Sequence, residues 1–320
     1  MYYLGIDLGG TNIAAGVVNE QYQIIGRSKT KTHVPCSEEE MCSQLAFAAL
    51  SALEDANIAI NEIEWIGIGS PGSIDRTNGM ITFSSNLHFH QFPLERLLSE
   101  KLCKKVIIEN DAKAAAWGEY LAGAGRGSRS MTAVTLGTGV GGGIILNGKI
   151  LEGHNGAAGE LGHMVIHQNG RPCTCGRRGC LEAYASATAL VSRAKEAMEH
   201  CETSMLWNLC GRNLSEVNGR IIFEASKKGD PTACEVLDSF TEDLSDGIAN
   251  IINILQPEVL CIGGGLSGAG EALLAPVREK TAPKIYSRAS EKNTRILLAE
   301  LGNGAGIIGA ACLNEQMSKN

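Results

Sequence analysis

An α/β fold in two lobes is predicted by three features of the sequence. At 320 residues the chain exceeds what one ordinary core organises. A strand, a glycine turn and a second strand open the chain at residues 2–18, and the same order returns at 131–146. Helical stripes follow both strand clusters, which makes each lobe a mixed sheet flanked by helices. The expected division is a small lobe of residues 1–110 plus 305–320 and a large lobe of 111–304, the latter carrying a thiol-rich loop at 163–182.

The first elements form a meander. Residues 2–8 and 12–18 are apolar, β-branched runs separated by Gly9-Gly10-Thr11, and a third strand spans 23–30. Ser37 followed by Glu40 has capping-box spacing, and Met41, Leu45, Ala48, Ala49 and Ala52 then mark a helical stripe ending near Asn57. A strand at 65–69 meets the break Ser70-Pro71-Gly72. A helix near 93–103 leads to a strand at 106–109, and a new helix begins at Asn110-Asp111.

The second cluster repeats the first. A strand at 131–136, the turn Gly137-Thr138-Gly139, a strand at 142–146 and the hairpin pair Asn147-Gly148 point to a structural duplication. Gly229-Asp230-Pro231 marks a stop and restart, after which a long helix runs to 255 and Pro257 ends it. A buried strand at 259–262 delivers Gly263-Gly264-Gly265 onto the next helix. The last helix, 305–316, is expected to cross back to the first lobe.

Composition excludes several function classes. Apolar content of 44% and charged content of 20% belong to a soluble globular protein. A net charge of -7 with no block of Lys or Arg argues against a nucleic-acid or anionic-membrane surface. The chain shows no basic leader and no run of 18 apolar residues, so a cytoplasmic protein is expected. Eleven cysteines, an odd number, then read as thiols and metal ligands and not as a disulfide framework.

Three of those thiols, Cys173, Cys175 and Cys180, fall within eight positions, interleaved with Gly176 and Gly179. With His163 they form a set suited to tetrahedral zinc, and a closed four-ligand site makes the expected ion structural. A Gly-rich loop of reduced thiols, or one disulfide, is the competing reading.

Two strand–glycine–strand turns expose backbone N–H groups without Cβ obstruction, as a polyphosphate requires, although glycines also simply permit tight hairpins. Asp7 is placed to hold magnesium through water, and Thr11 and Thr138 to donate hydroxyls to phosphate oxygens. Asp111 stands where a strand end becomes a helix start. A carboxylate there is either an N-cap or, facing the ligand, a base for an alcohol attacking a γ-phosphoryl group. Glu160 and Glu182 flank the thiol loop and, with Asn86, Asn110 and His163, suit sugar hydroxyls. No P-loop is present, and no Gly-x-Gly-x-x-Gly opens a helix after the first strand.

These residues together resemble the ROK family of repressors and sugar kinases, within the actin-like ATPase and hexokinase (ribonuclease H-like) superfamily. The resemblance spans nearly the whole chain and rests on residues 5–11, Ser70-Pro71-Gly72, Glu109-Asn110-Asp111, residues 137–143, Gly159-Glu160-Leu161-Gly162-His163, the cysteine block through Glu182, and Gly263-Gly264-Gly265. It implies an ATP-dependent kinase that phosphorylates a hexose at the 6-hydroxyl, with glucose as substrate. Asp111 is then the base. Asn86, Asn110, Asp111, Glu160, His163 and Glu182 hold the sugar, and His163, Cys173, Cys175 and Cys180 bind Zn2+. Asp7, Gly9, Gly10, Thr11, Asn12, Gly137, Thr138 and Gly139 handle the Mg2+-bound phosphates of ATP, and Gly264 and Gly265 lie near the adenosine. The resemblance also implies a homodimer or homotetramer. His88-Phe89-His90 after Asn86-Leu87 leaves N-acetylmannosamine or another hexose as the alternative substrate. A sugar-responsive regulator that does not catalyse is the alternative from a different class.

Overall fold

The computed structural model describes residues 1–314. Packing divides the chain into two compact units. The first takes residues 1–132, 143–159 and the described residues from Glu300 on, and the second takes 133–142 and 160–299.

In the first unit, β1 (Tyr2–Leu8), β2 (Asn12–Asn19) and β3 (Ile24–Lys31) form the expected meander, followed by α1 (Glu38–Ala56) and β4 (Ile63–Ser70). Ser37 and Glu40 make the predicted capping box, and Asn57 ends α1 in the left-handed region. The predicted stripe of α1 is the buried one: Met41, Leu45, Ala48, Ala49 and Ala52 join Leu4, Ile6, Leu8, Ile66 and Ile68 in one core. Three short strands, β5 (Ser73–Asp75), β6 (Met80–Ser84) and β7 (Phe89–Phe92), make a separate antiparallel sheet that the sequence pattern does not announce. After α2 (Leu94–Leu102) come β8 (Val106–Asn110) and α3 (Asp111–Ala122). The main sheet has the order β3-β2-β1-β4-β8, with β4 parallel to both β1 and β8.

The final helix, Ala305–Ala311, packs on α3 at backbone distance. A Cβ on Gly309 would lie 1.7 Å from the Ala114 carbonyl oxygen, so only glycine allows this crossing. Two indole N–H groups satisfy carbonyls at the end of this helix, Trp65 on Ala311 at 2.7 Å and Trp117 on Cys312 at 3.0 Å. The helix stops at Ala311, five residues short of the predicted end. The last two residues of that prediction, 315 and 316, lie outside the described residues. Glu119 of α3 is buried, and its carboxylate accepts the N–H groups of Ala124, Glu300 and Leu301, tying the returning chain to the helix.

The duplication expected at residue 131 is visible in strand order. β9 (Ser130–Leu136), β10 (Val140–Leu146) and β11 (Lys149–Ile150) repeat the meander, and Leu146 pairs with Lys149 across the two-residue turn Asn147-Gly148. Both turn residues have positive φ, which is why that dipeptide is chosen there.

After residues 133–142, which belong to this meander, the second unit holds α4 (Glu182–Ala185), α5 (Ala187–Glu199), α6 (Met205–Leu209), α7 (Gly219–Lys227) and α8 (Pro231–Leu255). It ends with β12 (Val259–Gly263), α9 (Glu271–Thr281) and β13 (Arg295–Leu298). The resulting order β11-β10-β9-β12-β13 matches the first sheet position for position. Asp230 caps α8 by accepting the Ala233 N–H, with Pro231 in the first turn, as predicted. Phe240, Leu244, Ile248 and Ile252, four residues apart, put one face of α8 into a core with Leu190, Leu260 and Ile262.

Candidate active site and metal site

In the first unit the geometry gathers around the ends of β1, β4 and β8. Asp7 pairs in register with Gly69, and Gly69 pairs with Glu109. A Cβ on Gly69 would meet the Ala114 Cβ at 3.1 Å and the Asp111 Cα at 3.4 Å, so the start of α3 packs closely over β4 here. Burial, and then the Asp111 charge, push the Asp7 carboxyl up from 3.8 to about 6. Beside this pair is the first glycine turn. Gly9 N–H donates to the Asn12 carbonyl at 2.9 Å, and the Thr32 hydroxyl donates to the Gly9 carbonyl at 2.7 Å. Asn86 sits over the turn, its Cβ 3.5 Å from the position a Cβ on Gly10 would take.

The raised pKa of Asp7 has a definite sign. The folded protein binds this proton more tightly than the unfolded chain, so stability is highest below 3.8, falls as pH rises toward about 6, and levels off above it. Asp7→Asn removes the buried charge and is expected to stabilise the ligand-free protein at pH 8 by ~2–3 kcal/mol, with little effect at pH 3.5. Thermal unfolding at both pH values checks this, and an unchanged or lowered midpoint at pH 8 would contradict it.

The helix start shows how Asn110 and Asp111 are used locally. Asn110 is the N-cap: its Oδ1 accepts the N–H groups of Ala112 and Lys113 at 3.0 and 3.2 Å, and its Nδ2 donates to the Gly72 carbonyl at 3.2 Å. Asp111 is the first helical residue. Asn110 is thus the N-cap, and the Asp111 Oδ1 also accepts the Ala112 N–H at 2.9 Å.

Three buried or nearly buried charges surround this junction that the motif pattern did not single out. Glu109 is 1% exposed, and its Oε1 accepts the Asn110 N–H at 2.8 Å. Arg76 lies 3.4 Å from the other Glu109 oxygen and also pairs with Glu152. Lys113 is 3% exposed and donates to the Gly156 carbonyl. Burial raises the pKa of Glu109, an effect opposed by Arg76, the Asn110 N–H and Lys113 and reinforced by Glu152.

In the second unit the thiol loop closes on itself. The ligand atoms of His163, Cys173, Cys175 and Cys180 all lie within 4.8 Å of one another. Cys173 Sγ is 3.6 Å from His163 Nδ1, and Cys175 Sγ is 3.7 Å from Cys180 Sγ. A tetrahedron with metal–sulfur bonds of about 2.3 Å has edges of about 3.8 Å, whereas a disulfide needs about 2.05 Å. The donor set and its spacing therefore fit one tetrahedral ion and do not fit a disulfide. Burial, and then the neighbouring sulfurs, push the Cys180 thiol up to about 12, so holding Cys180 as a thiolate calls for a cation beside it.

Glu182, the first residue of α4, joins this loop to the second glycine turn. Its Oε2 accepts the Val140 N–H at 3.0 Å and lies 2.3 Å from where a Cβ on Gly139 would be. Its Oε1 accepts the Thr174 hydroxyl at 3.2 Å. The start of α5 holds the same turn through Ala187 N–H on the Gly137 carbonyl and the Thr188 hydroxyl on the Thr138 carbonyl, both at 2.8 Å. Thr138 itself is exposed. Gly264 follows β12 with φ of 83°, and a Cβ there would lie 2.5 Å from the Leu136 carbonyl oxygen, so the third glycine cluster closes against the end of β9. Gly265 opens the short turn that leads to α9. Glu160 is exposed and precedes the turn that carries His163, whose N–H donates to the Glu160 carbonyl at 3.1 Å.

The structure thus brings Asp7, Asn86, Asn110 and Asp111 together with the first glycine turn in one unit. In the other it brings His163, the three cysteines, Glu182 and the second turn together. Among the described residues, no helix is long and apolar enough to cross a membrane.

The sequence matches the ROK family over residues 3–317. It is 39% identical over 312 residues to a glucokinase from Thermotoga maritima, covering 97% of this chain and 96% of that protein. The fold is similar to the crystal structure of a ROK family glucokinase from Streptomyces griseus in complex with glucose and AMPPNP. Identity there is 35% and the TM-score 0.86, covering 99% of this chain and 100% of that one. A ROK hexokinase from Thermus thermophilus aligns over 100% of this chain and 99% of its own, with 33% identity and a TM-score of 0.80. These full-length matches carry the actin-like two-lobed sugar-kinase fold with them, and the chain belongs to the ROK family.

Proposed function

We propose that this chain transfers the γ-phosphoryl group of ATP to the 6-hydroxyl of glucose. The observation that carries the reading is Asp111, at the first position of a helix already capped by Asn110 and beside the raised-pKa carboxyl of Asp7, in a chain whose full-length relatives include glucokinases. Asp111 accepts the proton of the sugar hydroxyl as the oxygen forms its bond to the γ-phosphorus. The bond from that phosphorus to the bridging oxygen breaks, and ADP leaves with the electron pair.

Asn86, Asn110, Asp111, Glu160, His163 and Glu182 are the residues assigned to the sugar. Gly9, Gly10, Thr11 and Asn12, and in the second unit Gly137, Thr138 and Gly139, are assigned to the phosphates, with Gly264 and Gly265 at the adenosine. Asp7 is the carboxylate that would hold Mg2+ through water, where the ion neutralises phosphate charge. Zn2+ at His163, Cys173, Cys175 and Cys180 would fix the imidazole's direction and the loop that ends in Glu182. A cytoplasmic homodimer or homotetramer completes the reading.

An ADP-release assay over a panel of hexoses and N-acetylhexosamines tests it. Turnover is expected to be fastest with glucose. Turnover confined to N-acetylmannosamine, or none with any sugar, would contradict the assignment.

A further inference from the structure

We infer that Glu109 is a positioning residue for Asp111, with Arg76 as the cation that pairs with its second oxygen. The inference rests on the reading of Asp111 as the base and extends it to residues that touch neither sugar nor nucleotide.

A carboxylate that is 1% exposed is costly unless it is paired and hydrogen-bonded. Glu109 spends one oxygen on the backbone N–H of the residue immediately before Asp111, at 2.8 Å. Its Oε2 is buried and accepts no hydrogen bond among the described residues, yet it has the Arg76 guanidinium 3.4 Å away. Arg76 is in turn pinned by Glu152, and the Lys113 ammonium contributes from the first turn of α3. The charges facing Glu109 are thus Arg76 from the chain after β5, Lys113 from α3 and Glu152 from the chain after β11. If Glu109 only filled space, an apolar side chain would serve a strand whose preceding three residues are Val106, Ile107 and Ile108, all buried.

The grip acts at a particular place. Asn110 is the N-cap, with φ of -63° and ψ of 141°, and these two dihedrals set the direction in which α3 leaves the sheet. The Asn110 side chain fixes the helix side of the junction through Ala112 and Lys113 and the loop side through Gly72. Its backbone N–H donates to Glu109. Losing that bond lets the peptide rotate at the residue next to Asp111 while the amide of Asn110 stays anchored. A base displaced by about 1 Å can lose on the order of 100-fold in turnover.

The test compares Glu109→Leu, Glu109→Gln and Asp111→Asn in the full chain, reading kcat, glucose KM and thermal midpoint for each. Glu109→Leu is expected to lower kcat on the order of tenfold to a hundredfold, with KM for glucose changed by less than about threefold. Glu109→Gln, whose amide oxygen can accept the same N–H, is expected to recover most of that loss. If Glu109→Leu does not fold, the inference stands or falls on Arg76→Met, which keeps the N–H acceptor but removes its counter-charge and is expected to lower kcat at fixed KM. A Glu109→Leu or Arg76→Met enzyme with unchanged kcat, or one losing kcat and KM in equal proportion, overturns the inference while an inactive Asp111→Asn leaves the base reading standing. An active Asp111→Asn overturns both.

Discussion

Asp111→Asn is expected to lower kcat by ~10²–10⁴-fold while leaving the fold and glucose binding in place. The side chains match in size, and the start of α3 keeps its hydrogen bonds, because Asn110 supplies the cap and the variant's amide oxygen can accept the Ala112 N–H that Asp111 Oδ1 accepts at 2.9 Å. A carboxylate in the first turn gains ~0.3–1 kcal/mol from the helix dipole. Removing it also relieves the repulsion that raises the pKa of Asp7. These effects oppose each other, so the thermal midpoint should move little. Glucose titration by calorimetry and a coupled turnover assay on the same preparation separate binding from chemistry. Full turnover in the variant would end the assignment of Asp111 as the base.

The second large effect is expected on removing the ion from the thiol loop, by chelation or by Cys180→Ser. Cys180 is fully buried, and the loop between His163 and Glu182 has little apolar core of its own. Its order is then expected to depend on four donors sharing one ion. In small peptides structural zinc supplies ~10–16 kcal/mol, and part of that should appear here as a clear drop in thermal midpoint. Glucose affinity should fall along with it, on the order of tenfold or more. The coupling is geometric: Glu182 holds Thr174 inside the loop with one oxygen and the Val140 N–H with the other, and His163 is both ligand and sugar candidate. Metal content measured on active enzyme checks this. Full activity without stoichiometric zinc would contradict it.

Much of the fold was legible because its signals are local. The capping box at Ser37 and Glu40, the Asp230-Pro231 restart and the Asn147-Gly148 turn each determine backbone geometry within a few residues, and each is found where expected. The duplication was legible for the same reason, since both meanders carry glycine at the first turn. The β5–β7 sheet was not. Its strands have three to five residues, and His88 and Gln91 adopt positive φ, which breaks the alternation that marks a strand. β13 is a four-residue edge strand whose partner, β12, is about thirty residues away in sequence, so no local period reveals it.

The site divides along the same line. The four candidate metal donors were readable from residue type and spacing alone, and the fold brings their ligand atoms within 4.8 Å of one another. Glu109 belongs to the Glu109-Asn110-Asp111 motif, but its burial and its bond to the Asn110 N–H were not readable from sequence. Arg76, Lys113 and Glu119 look like ordinary surface charges in sequence. Only the return of distant segments, at Glu152, Gly156 and Glu300–Leu301, buries or pairs them. Which of Asn110 and Asp111 caps α3 was likewise undecidable from two adjacent polar residues, because backbone dihedrals choose between them.

The most direct test of the central claim is a crystal structure of this chain with glucose and AMPPNP. The account predicts the glucose 6-hydroxyl within about 2.6–3.2 Å of the Asp111 carboxylate, facing the γ-phosphate. A sugar bound with its 6-hydroxyl turned away from Asp111, or with a different carboxylate in that position, would contradict it.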